Sequence, residues 1–176
     1  MSKLDELRIA LKRRNEVARD LVARNQNFAH QLVEGLRLYL DLPEHYSVGR
    51  GSDSEVRRYV SWQYVEQNGS FTVTDTMHEA IASYYDGYFE FGFGLALSEE
   101  ENSRRKFIFQ IPIECRWQDE QVEINLHGEK MQVVTSDGKI VNDADLNLFL
   151  FKSIKGSLED AAKGAGPQIG FDLIKE

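Results

Sequence analysis

The sequence predicts an α+β fold: an antiparallel sheet of five to seven strands built from consecutive hairpins, with a long N-terminal helix and a C-terminal helix packed on it. Three observations carry this. Apolar residues recur at helical spacing from Ser2 to about Leu40, the period changes to two from Arg57, and helical spacing returns after Asn142.

The first helix is read from Leu4, Leu7, Leu11, Ala18, Leu21, Val22, Phe28, Ala29, Leu32, Val33 and Leu36, which fall three, four or seven apart. No proline interrupts until Pro43, which ends the pattern. At ~1.5 Å per residue such a helix spans roughly 55 Å, longer than the sheet it covers, so part of it projects or meets another chain. Arg14 and Asn25 fall where apolar residues belong. A lone buried Asn fixes register in a coiled coil, and a bend near Arg13–Asn15 is the competing reading.

Residues 41–56 contain one Pro, two Gly and three Ser without periodicity and read as a long loop. Within it, Gly49–Ser52 has the composition of an anion cradle, with Arg50 supplying the charge. It lacks the lysine and spacing of a nucleotide-binding P-loop, and a plain flexible loop is the favoured reading.

The strongest local signal is Asn68-Gly69 between two β-rich runs, the preferred pair for a two-residue type I′ hairpin. That turn sets Tyr64 opposite Val73 and Trp62 opposite Asp75, and puts Val60, Trp62, Tyr64, Phe71 and Val73 on one face. Thr76 with Glu79 has the form of a capping box, which favours a short helix or irregular crossing before a strand at about Tyr88.

From Tyr88 to Leu97 the odd positions are Phe89, Phe91, Phe93, Leu95 and Leu97, while Gly92, Gly94 and Ala96 fall on the other face. Glycine weakens a strand, so two on one face call for close approach, by a helix or a partner, or for curvature. The return strand places Phe107, Phe109, Ile111, Ile113, Cys115 and Trp117 together. Pro112 has no N–H to give and belongs where no hydrogen bond is needed. Residues 121–136 form a further hairpin, Asp137-Gly138 turns the chain, and Asn142 opens the second helix, with Gly164 to end it. The whole reads as one domain: arm 1–40, loop 41–56, sheet and helix 57–164, tail 165–176. The tail is expected to fray, with Phe171–Glu176 as a docked strand or peptide-like motif the competing reading.

The net charge of −8 argues against nucleic acid as the partner. Residues 1–40 carry eight Lys/Arg and five Asp/Glu, so the arm is +3 and the remainder −11. A basic arm on an acidic body can dock by attraction within its own chain or onto a neighbour, though a solvated helix face is the favoured reading of the charge. The over-long amphipathic helix predicts a homo-oligomer through residues 1–40, and the acidic body another protein as partner, including a basic one. The N-terminal residues have no apolar signal segment and no apolar run approaches a membrane span, so the chain reads as cytoplasmic.

His30, His45, His78 and His127 share no ligand spacing, Cys115 lies on the apolar side of its strand, and no nucleophile motif is present. No metal, cofactor or catalytic residue is assigned. Candidate binding residues are Arg50, Trp62, Tyr64, Tyr84, Tyr88, Gly92 and Gly94. Two functions compete with a protein-binding module of the chaperone, adaptor, inhibitor or immunity type. One is a small-molecule or lipid carrier with an aromatic-lined pocket between sheet and helix. The other is an enzyme with no recognisable motif.

Overall fold

The computed structural model describes residues 2–48, 54–66, 69–100, 106–162 and 170–173. Helix α1 (Lys3–Tyr39) is a single helix of 37 residues with no break at Arg13–Asn15. A capping box opens it: Ser2 Oγ accepts from the Asp5 amide, and the Asp5 carboxylate accepts from the Ser2 amide at 3.1 Å. Asp41 closes it in the left-handed region at φ 53°, a position usually given to glycine, just before Pro43.

Seven strands run in the order β10-β9-β8-β7-β6-β3-β4: Lys139–Ile140, Glu129–Ser136, Gln121–Leu126, Phe107–Gln118, Tyr88–Leu97, Val60–Val65 and Phe71–Val73. All pairings are antiparallel, so the expected α+β class is the one observed. Short β5 (Ile81–Ser83) pairs with β6 beside β3, and β11 (Gly170–Leu173) pairs with β7. The tail therefore contributes a docked strand where fraying was expected.

The partners of β7 explain Pro112. Strand β11 pairs with residues 107–110 and β8 with 114–118, so among the described residues Pro112 sits in the gap between the two partners of that edge.

Both long helices lie on the odd face of β6. Phe89, Phe91, Phe93 and Leu95 are fully buried with Ile111, Ile113, Cys115, Val122 and Ile124. Phe28, Leu32 and Leu36 of α1, and Leu146, Leu150 and Ile154 of α3 (Asp143–Ala162), complete this core. Phe28 meets Phe89 edge-on with ring centroids 5.9 Å apart.

Three local readings differ from expectation. Residues 41–56 are not all loop: β1 (His45–Val48) and β2 (Glu55–Arg58) form a two-stranded hairpin. The Asn68-Gly69 hairpin pairs Gln63 with Val73 and Tyr64 with Thr72, one residue off the two-residue register. Gly69 at φ 81°, with its amide donating to Glu66 O, gives a three-residue connection ending in a left-handed glycine. That slip moves Phe71 and Val73 to the face of Gln63 and Val65, away from Trp62 and Tyr64. The Asn142 side chain does not cap α3. It accepts from the Val134 amide at 2.9 Å and donates to Gln132 O, fastening the helix start to β9. Thr76 does cap the short α2 (Met77–Ala80), as expected.

Candidate functional site

Two surfaces are distinct from the core: the free half of α1 and a groove on the even face of the sheet. In α1 the buried positions are Asn25, Phe28, Ala29, Leu32, Val33 and Leu36, all in the C-terminal half. From Lys3 to Asp20 no residue of the helix is buried, and Leu4, Leu7, Leu11 and Val17 are 55, 69, 54 and 63% exposed. At about 100° per residue, Leu4, Leu7, Leu11 and Ala18 point within about 60° of Asn25, so the bare stripe is the buried face carried straight past the body. Those eighteen residues project by roughly 27 Å.

Asn25 marks the point of departure. It is fully buried, its Oδ1 accepts from Trp117 Nε1 at 2.8 Å and its Nδ2 donates to Ser83 Oγ at 2.9 Å. It is therefore a satisfied residue of the domain core and not the register residue of a coiled coil. Arg24 lies over the Trp117 ring at 3.5 Å and donates to Asp119 O, which seats the β7–β8 turn beside the helix.

The groove holds about 690 Å³ and lies between β2, β3, β4 and β7, lined by Tyr46, Arg57, Ser61, Gln63, Phe71 and Ile108 among others. Gly92 and Gly94 form the sheet beneath it. A Cβ at Gly94 would come 2.5 Å from Gln63 Nε2 and 2.8 Å from Ser61 Oγ, and one at Gly92 would come 2.9 Å from Gln63 O. The cover expected over these glycines exists, but side chains of the same sheet supply it; both long helices are on the opposite face. Gln63 is 1% exposed and its Oε1 has no hydrogen-bond partner among the described residues.

Trp62 reaches the groove edge while its ring packs near Phe91 at 6.2 Å. Tyr64, Tyr84 and Tyr88 do not line it. Tyr84 donates to Glu90 Oε1 at 2.6 Å, which pushes its phenol up to about 12, and Arg116 sits over the Tyr88 ring at 5.2 Å. Arg50 lies outside the described residues. The aromatics facing α1, namely Phe89, Phe91 and Phe93, are 0% exposed and pack as core.

Sequence reading missed Lys106, which is 5% exposed. Its Nζ donates to Ser98 Oγ at 3.0 Å and lies over the rings of Tyr46 and Tyr59 at 5.8 and 5.3 Å, tying the β1–β2 hairpin to the sheet. A Lys after a charged loop carries no signal of burial.

The four histidines sit on different elements, α1, β1, α2 and the β8–β9 turn. Among the described residues no three His, Cys, Asp or Glu are grouped to hold a metal ion. Burial pushes the Cys115 thiol well up. No helix among the described residues is long and apolar enough to cross a membrane. No protein-family model, curated protein or solved structure matches the chain.

Proposed function

We propose that the protein is a protein-binding module of the chaperone, adaptor, inhibitor or immunity type, with the free half of α1 as its contact element. One observation carries this reading: an apolar stripe of five turns stands in solvent, continuous with a stripe the body buries. The apolar effect rewards covering it, at ~25 cal/mol per Å². No proline or glycine lies between Lys3 and Glu34, so the helix has no hinge to fold back on its own sheet, and the cover comes from another molecule. The acidic remainder of the chain, at −11, adds a surface suited to a basic segment of a partner.

The test is capture of partners from the native host by the full-length chain and by a Leu7→Glu/Leu11→Glu variant. Both residues are exposed, so the variant keeps the body intact. Loss of the captured proteins with the variant supports the reading, and an unchanged set contradicts it.

A carrier function is the second reading, favoured by the groove alone. Its 690 Å³ falls within the roughly 300–1,000 Å³ of small-molecule sites, and the orphaned Gln63 Oε1 offers an acceptor. Native mass spectrometry of the purified chain tests it: a retained small molecule lost in Ser61→Trp supports a carrier, and a bare chain mass contradicts it.

A further inference from the structure

We propose that the free arm of α1 pairs with the arm of a second copy of the chain, antiparallel and over its full length, with each tip reaching the partner's β7–β8 turn. This rests on the reading of the arm as a contact element and names its partner.

The spacing points to a helix as the occupant. Leu4, Leu7, Leu11, Arg14, Ala18 and Leu21 alternate in steps of three and four, the repeat that keeps a seam facing another helix. The pattern is also complementary to its own reverse. An antiparallel overlap setting Leu4 against Leu21 of the partner subunit also sets Leu7 against Ala18 and Leu11 against Arg14. Large meets small at the two Leu7–Ala18 layers, and the stem of Arg14 lies along an aliphatic side chain.

Charge decides the direction. A parallel pair would hold two acidic bodies side by side, each at −10 outside residues 3–21. The antiparallel pair separates the bodies by roughly the arm's 27 Å, several times the ~8 Å screening length at physiological salt. Residues 3–21 carry six Lys/Arg and four Asp/Glu, so each arm has a weak +2, and added salt strengthens the pairing.

Area decides the extent. Two faces each about 27 Å long and about 10 Å wide bury of the order of 600 Å² by themselves, short of the roughly 1,200 Å² of a stable interface. Only full overlap adds the contact of each tip with the partner's body. There the turn at Asp119–Glu120, fixed beside α1 by Arg24, stands at the end of the bare stripe.

The test uses two full-length single variants, Leu7→Cys and Ala18→Cys, under a glutathione redox buffer. The native Cys115 is 1% exposed and takes no part. The proposal expects a dimer mass by light scattering for the unmodified chain at tens of micromolar. It also expects a disulfide-linked dimer when the two variants are mixed, and little from either alone. Cross-linking within each single variant, with no gain on mixing, means a parallel pair and overturns the proposal. A chain of monomer mass overturns it too. If that monomer still captures host proteins through Leu7 and Leu11, the protein-binding reading stands while the second-copy proposal falls.

Discussion

Trp117 donates its indole N–H to Asn25 Oδ1 at 2.8 Å, inside a core where Asn25 is fully buried. On the N-terminal side of this bond no residue of α1 is buried, and on the C-terminal side its apolar stripe is covered by the sheet. The bond therefore fastens the arm's root to strand β7 at the end of the sheet. Replacing Asn25 with Ala leaves the indole N–H and the Ser83 hydroxyl without this partner, and an unsatisfied buried donor costs about 1–3 kcal/mol. Asn25→Ala should lower the unfolding free energy by that amount, read as a fall in the denaturant midpoint. An unchanged midpoint would show that the bond is not a fastening.

Gly94 yields to a similar argument from crowding. Its φ is not in the left-handed region, so backbone strain does not enter; the obstacle is Gln63, Ser61 and Ile108. Gly94→Ala should destabilise and Gly94→Val more so, the latter by about 1–3 kcal/mol. Trimming the obstacle should relieve it, so that Gly94→Ala costs less in a Gln63→Ala background. A double-mutant cycle measures the coupling, and additive costs would remove Gln63 as the cover.

Glu34 supplies a pH dependence. Hydrogen bonds from Arg37, at 2.9 and 2.5 Å, hold its carboxyl below the usual value of 4.5. The folded chain thus binds this proton less readily than the unfolded one. The stabilisation is present above 4.5 and is lost as pH falls through the lowered folded value. The Glu34 side chain is 42% exposed, so screening keeps the effect under about 1 kcal/mol. Melting of the native chain against Glu34→Gln should differ slightly at pH 7 and converge in acid. A gap that widens in acid would contradict the assignment.

Cys115 should be silent toward Ellman's reagent in the folded protein and react once per chain in denaturant. Its burial and the raised thiol both slow attack, since the thiolate is the nucleophile. Rapid labelling without denaturant would place Cys115 outside the core.

Much of the architecture was legible because it follows from periodicity. Leu4 to Leu36 announce α1, the odd positions from Phe89 to Trp117 announce the covered face, and Pro112 announces an unpaired edge. Other features turn on long-range partners. Asn25 looks like a flaw in an apolar stripe until Trp117 and Ser83 are beside it. The register at Gly69 depends on whether the connection has two or three residues, which a single Asn-Gly pair does not fix. The hairpin of His45–Val48 with Glu55–Arg58 buries only Tyr46, too little apolar repetition to stand out from a loop. The candidate site was half legible. Gly92 and Gly94 do mark a crowded backbone, but their cover comes from Gln63 and Phe71, whose face followed from the register.

The most direct test of the arm as a contact element is amide hydrogen exchange over residues 3–20, compared between the native chain and Leu7→Glu/Leu11→Glu at one concentration. Glutamate forms helix nearly as well as leucine, so the variant changes the surface and hardly the helix propensity. An uncovered helix of this length is marginal in water and frays. The account predicts slow exchange over 3–20 in the native chain, fast exchange in the variant, and equal protection of 28–36 in both. Equal rates over 3–20 in the two proteins would contradict it.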